Sequence, residues 1–162
     1  MDFSVIDRLS RAIDNFRDIA LECSMRVMED NAEVMVEQVR SQLLEGIGSD
    51  GQPLHPTYME DDYFKSQEEA TAYVMRKAGG WAVAPFNSMP SNGSPNLGIK
   101  GTFHNGLQYN REGDEMVLTS SFKGDEIMSK YDYNIGVTED WFEENLKEPI
   151  CEEIVEQIRS ML

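Results

Sequence analysis

The side chains that most readily ligate metals or move protons near neutral pH are few: two histidines, His55 and His104, and two cysteines, Cys23 and Cys151. Neither histidine has a Cys, Asp or Glu two to four residues further on, the spacing that sets two ligands on one face of an element. His55 lies between Pro53 and Pro56 and His104 within Thr102-Phe-His-Asn105, so both read as hydrogen-bonded or exposed structural residues. Both cysteines fall at an apolar phase of a helical pattern and are expected as buried free thiols. Ser120 and Ser121 stand in a strand-like run without the Gly-x-Ser-x-Gly elbow, and neither a phosphate-binding loop nor a dinucleotide fingerprint occurs. Asp50-Gly51 lacks the spaced oxygens of a calcium loop. Carboxylates are so abundant that no pair stands out; Glu143, Glu144, Glu148, Glu152, Glu153 and Glu156 read as the solvated face of C-terminal helices. The residues therefore predict no catalytic, metal or cofactor site, and the chain is not read as an enzyme.

What must position these residues is one α+β domain. The 162 residues are enough for a single core, and 40% apolar with 27% charged residues is ordinary globular composition. A formal net charge of −16, with Lys and Arg scattered, argues against specific binding of DNA or RNA. No apolar run approaches the roughly 18 residues of a membrane span, and Met1–Arg11 lacks the features of a secretory signal, so a cytoplasmic protein is expected.

Ser4 and Asp7 have the capping-box spacing, and Ile6, Leu9, Ile13, Phe16, Ala20, Cys23 and Val27 follow at helical intervals. The stripe breaks at Asp30-Asn31 and resumes through Ala32, Met35, Val36, Val39 and Leu43. That pattern predicts one long helix with a phase change, or two helices meeting near position 30, within a helical part 4–45 closed by a left-handed Gly46. The middle, 46–96, is rich in turn formers. A helix capped by Ser66 carries Ala70, Tyr73, Val74 and Ala78 and stops at Gly79-Gly80; a long Pro-rich loop runs from Trp81 to Asn96. Region 97–123 holds a β-hairpin between Leu107 and Phe122, and 125–162 holds C-terminal helices, one following Thr138 and one opening at Pro149. The expected architecture is a long N-terminal helix and C-terminal helices packed on a small antiparallel sheet.

The N-terminal stripe has two readings. It is core where it covers the sheet, and interface where the helix outruns the sheet. Candidate contact residues are Ile6, Leu9, Ile13 and Phe16 on the stripe, Trp81, Phe86 and Met89 on the Pro-rich loop, and Phe103 and Trp141.

The order of parts carries a resemblance. Asp50-Gly51-Gln-Pro53-Leu-His-Pro56-x-Tyr58 is followed by a lysine-bearing helix, then Pro95-Asn-Leu97-x-x-x-Gly101-Thr-Phe103-x-Asn-x-Leu107, a hairpin, Gly136-Val-Thr-Glu-Asp-Trp141 and a last amphipathic helix. This resembles the small neck and tail-completion proteins of tailed bacteriophages, the group of tail-component and virion-morphogenesis proteins. Lys100-Gly101-Thr102-Phe103 stands where that group has Thr-Gly-x-Leu. The resemblance implies a non-enzymatic virion subunit, a head-to-tail connector or tail-completion protein, assembled in the bacterial cytoplasm as a homo-oligomeric ring. Its partners would be copies of itself and portal, adaptor or tail-tube proteins, with DNA passing without specific binding and no membrane involved. Two other readings remain at this point: an acidic adaptor or inhibitor of a basic host protein, and a small hydrolase built from scattered acids and His104.

Overall fold

The computed structural model describes residues 3–161, with side chains for 6–11 and 13–161. These residues form eight α-helices and one two-stranded antiparallel sheet, an α+β fold. The chain packs as two compact units that alternate along the sequence, a division its composition does not announce. Residues up to Ala32, Asn110–Val117 and those from Asp140 on make the first unit; Glu33–Tyr109 and Leu118–Glu139 make the second.

The N-terminal stripe forms three helices: α1 (Phe3–Asp14), α2 (Phe16–Asp30) and α3 (Ala32–Leu44). The expected break falls at Asn31; a second, at Asn15, has the same cause. Each asparagine keeps its backbone bond to the carbonyl four residues back and also donates its side-chain amide to that carbonyl, Asn15 to Arg11 at 2.9 Å and Asn31 to Val27 at 2.8 Å. Two donors on one acceptor loosen the turn, and both asparagines leave helical dihedrals with ψ near zero (8° and 9°). At its start, α1 begins at Phe3, one residue ahead of the expected cap Ser4, whose side chain lies outside the described residues.

In the first unit, α8 (Lys147–Met161) packs along α2, and α1 touches both. The last helix therefore packs on helices, where packing on the sheet had been expected. It opens two residues before Pro149, which is tolerated there because the first turn of a helix has no use for that residue's N–H. Preceding it, α7 (Glu139–Asn145) starts directly after Thr138. Cys23, Met25 and Val27 on α2, with Leu146 and Ile150, are the buried apolar residues here.

The second unit is built on α3. Val36, Val39 and Leu43 form one core with Leu54, Phe103, Leu107, Met128, Tyr131 and Ile135. At the end of α3 the N–H of Ile47 bonds the Gln42 carbonyl (2.9 Å) and that of Gly46 the Leu43 carbonyl (3.1 Å), with Gly46 at φ +69°. That is the Schellman arrangement, which needs a residue at ease in the left-handed region. The hairpin, β1 (Leu107–Glu112) and β2 (Glu115–Ser120), turns at Gly113 with φ +65°. Its base belongs to the second unit and its tip to the first, where Arg111 pairs with Glu22 at 2.7 Å and Glu29 at 3.4 Å. The remaining helices of the second unit are α4 (Gln67–Arg76), the single turn α5 (Thr102–Asn105) and α6 (Gly124–Lys130).

Candidate functional site

Helix α4 begins at Ser66, whose hydroxyl accepts the Glu69 N–H at 3.3 Å, while the Glu69 carboxylate accepts the Lys65 N–H at 2.9 Å. Its inward face was expected to end on Ala78. Ala78 is exposed instead, and Lys77 is buried, only 1% exposed. Helical arithmetic explains the exchange: Lys77 lies seven residues, almost two full turns, after buried Ala70, at the centre of the stripe, whereas Ala78 is about 80° off that line. A wide π-helical turn, Lys77–Trp81, follows, closed by the Ala82 N–H on the Lys77 carbonyl (3.3 Å) and by Gly80 at φ +103°.

The Lys77 ammonium donates to the Tyr58 hydroxyl at 2.7 Å and to the side-chain carbonyl of Asn96. Asn96, fully buried, is fixed in turn. Its amide donates to the carbonyls of Phe86 (3.0 Å) and Ser88 (2.8 Å), and its backbone carbonyl accepts from His104 Nε2 at 2.7 Å. Because a carbonyl can only accept, that bond sets the proton of neutral His104 on Nε2. Burial holds the His104 pKa below its usual value, and burial pushes Lys77 down to about 8. Tyr58 and Tyr73 are moved upward by the same cause and remain neutral phenols.

Lys77 and Tyr58 line a cavity of about 640 Å³ within the second unit. Tyr73 is the hub of its wall, with ring centroids 5.6 Å from Tyr58, 5.1 Å from Phe64 and 5.4 Å from Trp81, the last edge to face. The Arg76 guanidinium lies over the Trp81 ring, 4.5 Å from its centroid, a cation–π contact. Lys100 and Lys130 also line the cavity, as does one acid, Asp61, which pairs with Lys130.

This constellation is absent from the sequence reading. Its one legible signal is a lysine at the core phase of an amphipathic helix; Tyr58 and Asn96 reach it from loops that have no periodicity to read.

The expected contact residues divide. Ile6, Leu9, Ile13 and Phe16 are exposed by 44–65%, although each belongs to the apolar stripe. Trp81 is likewise exposed, at the cavity, and Met89 and Trp141 are half-buried. Phe86 and Phe103 are buried and are corrected to core residues: Phe103 belongs to the central cluster, and Phe86 lies against Gly98, Gly101 and the His104 ring, where no side chain on either glycine would fit. Cys23 is a buried free thiol as expected, but Cys151 is an exposed one, because its position on α8 falls beside Glu152 on the outer face. Exposed His55 contacts Glu60 at 3.0 Å; Glu60 also accepts from the backbone and hydroxyl of Thr57, which brings its pKa to about 2. Ser120 donates to the Phe103 carbonyl at 2.9 Å, a structural bond. The lining of this cavity does not include His104.

Comparison with protein-family models, with curated proteins and with solved structures finds no match to this chain.

Proposed function

We propose that this chain is a non-enzymatic structural subunit of a tailed-phage virion, a head-to-tail connector or tail-completion protein that assembles into a homo-oligomeric ring. The observation that carries this reading is the run Ile6, Leu9, Ile13 and Phe16, all apolar, at helical spacing and largely exposed. Three of these side chains lie on α1 and Phe16 opens α2, and exposed apolar side chains so grouped are the kind of surface that a partner covers. The resemblance of the middle and C-terminal motifs to neck and tail-completion proteins supports the choice of partner: copies of this chain, and portal, adaptor or tail-tube subunits. A net charge of −16 suits a ring whose lumen a polyanionic genome must pass without adhering.

The test is the mass of the purified chain, alone and with portal or tail-tube protein, by light scattering after size exclusion. Wild type is expected in a complex of several copies, with its neighbour if not alone, and Ile13→Asp is expected to shift the assembly constant by at least about tenfold toward monomer. A chain that stays monomeric with every neck and tail neighbour would end this reading.

One feature favours the acidic-inhibitor alternative. Glu148, Glu152 and Glu156 are exposed on α8 at four-residue intervals, roughly 6 Å apart along the helix, a spacing near that of phosphates on a nucleic-acid strand. That reading expects a monomer or dimer which binds a basic protein and is displaced from it by DNA.

A further inference from the structure

The Lys77 cavity has no part in the assembly reading, and its chemistry stands on its own. We propose that it is a binding site for an aromatic monocarboxylate, with the ligand's ring against Tyr73 and Trp81 and its carboxylate on the Lys77 ammonium.

Size is the first argument. A volume of about 640 Å³ falls in the range of small-molecule sites, which combine an apolar wall with a few placed polar groups. Charge is the second. The chain has 30 acidic and 14 basic residues, yet three lysines and a single acid line this cavity. The lining's one acid, Asp61, pairs with Lys130, which leaves it unavailable to neutralise Lys77 or Lys100.

Hydrogen bonding is the third argument, and it selects the ligand. An ammonium has three protons. Lys77 uses two of them on Tyr58 and Asn96, both neutral, and the third has no partner among the described residues. A buried cation with only neutral partners is costly, and a carboxylate delivered to the third proton relieves that cost. One free ammonium proton, with Lys100 at the cavity, suits a single carboxylate and falls short of what the three oxygens of a phosphate group require. The aromatic wall prefers a flat ring to an aliphatic chain, since stacked or edge-on rings gain beyond their buried area.

The experiment is calorimetric titration of the full chain with indole-3-acetate and with its neutral counterpart, indole-3-acetamide, repeated on Lys77→Met. Wild type is expected to bind the acid at least about tenfold more tightly than the amide, and Lys77→Met to lose that preference. A second measurement needs no variant: in NMR spectra of the wild type, the ring protons of Tyr73 and Trp81 should shift with indole-3-acetate at concentrations where the amide leaves them unmoved. Equal affinity for acid and amide, no binding of either at millimolar concentration, or Tyr73 and Trp81 rings unmoved by the acid would each overturn the proposal. None of these outcomes depends on whether the chain forms a ring.

Discussion

The two units treat their apolar and polar residues in opposite ways. In the first, apolar residues of α1 and the start of α2 that ought to be inside are outside: Ile6, Leu9, Ile13 and Phe16 keep about half of their surface in water. In the second, residues that ought to be outside are inside: Lys77, Asn96 and His104 are all at most 3% exposed. An exposed apolar stripe is a surface waiting for a partner, whereas a buried, hydrogen-bonded polar cluster is a specified geometry. One unit leaves apolar area uncovered and the other holds particular polar groups in place.

The largest effect that could break this contrast is on the core of the second unit. Leu43→Ala removes a fully buried side chain from the cluster around α3 and is expected to lower stability by about 2–5 kcal/mol in urea unfolding. The matching change Leu9→Ala, on a residue 44% exposed, is expected to move the stability of the unassembled chain by less than about 0.5 kcal/mol. Similar losses for the two would mean that the α1 stripe is core after all.

A second effect is seen in the pH dependence of unfolding. Lys77 titrates at about 8 when folded against 10.5 when free, so between these values the unfolded chain holds the extra proton. Stability therefore rises as pH climbs through that window, by up to about 3 kcal/mol, and below pH 8 the cost of the buried charge is fully present. Lys77→Met should remove this rise. A wild type whose stability is flat or falling across the window, or a variant that keeps the rise, would show that Lys77 is not held in a poorly solvated place.

The smallest of the three sharpens the role of the Pro-rich loop. Gly98→Ala places a methyl group against the Phe86 ring and is expected to cost about 1–3 kcal/mol, because the ring must leave its place over His104. The His104 ring protons, followed by NMR, should shift with it. No loss of stability would mean that Phe86 is a movable surface residue, as its place in a Pro-rich loop first suggests.

Much of the fold was legible in local chemistry. Ser66 and Glu69 announce the start of α4, Gly46 the end of α3, and Arg111-Glu-Gly113-Asp the hairpin turn, because capping and turn formation are decided by neighbours a few residues apart. The break at Asn31 was visible as a lapse in the stripe. The break at Asn15 was not, because the apolar stripe runs through it unbroken.

What the sequence determined by itself, then, is the α+β class, the turns and caps, and the amphipathic faces, all consequences of spacing within one segment. Only tertiary structure decided which faces are covered. The same pattern of apolar residues is core on α3 and exposed on α1, and aromatic Phe86 and Phe103 went inside while Trp81 stayed partly out. The Lys77 site depended on tertiary structure most of all. Its three polar members come from positions 58, 77 and 96, and nothing local to any one of them reports the other two.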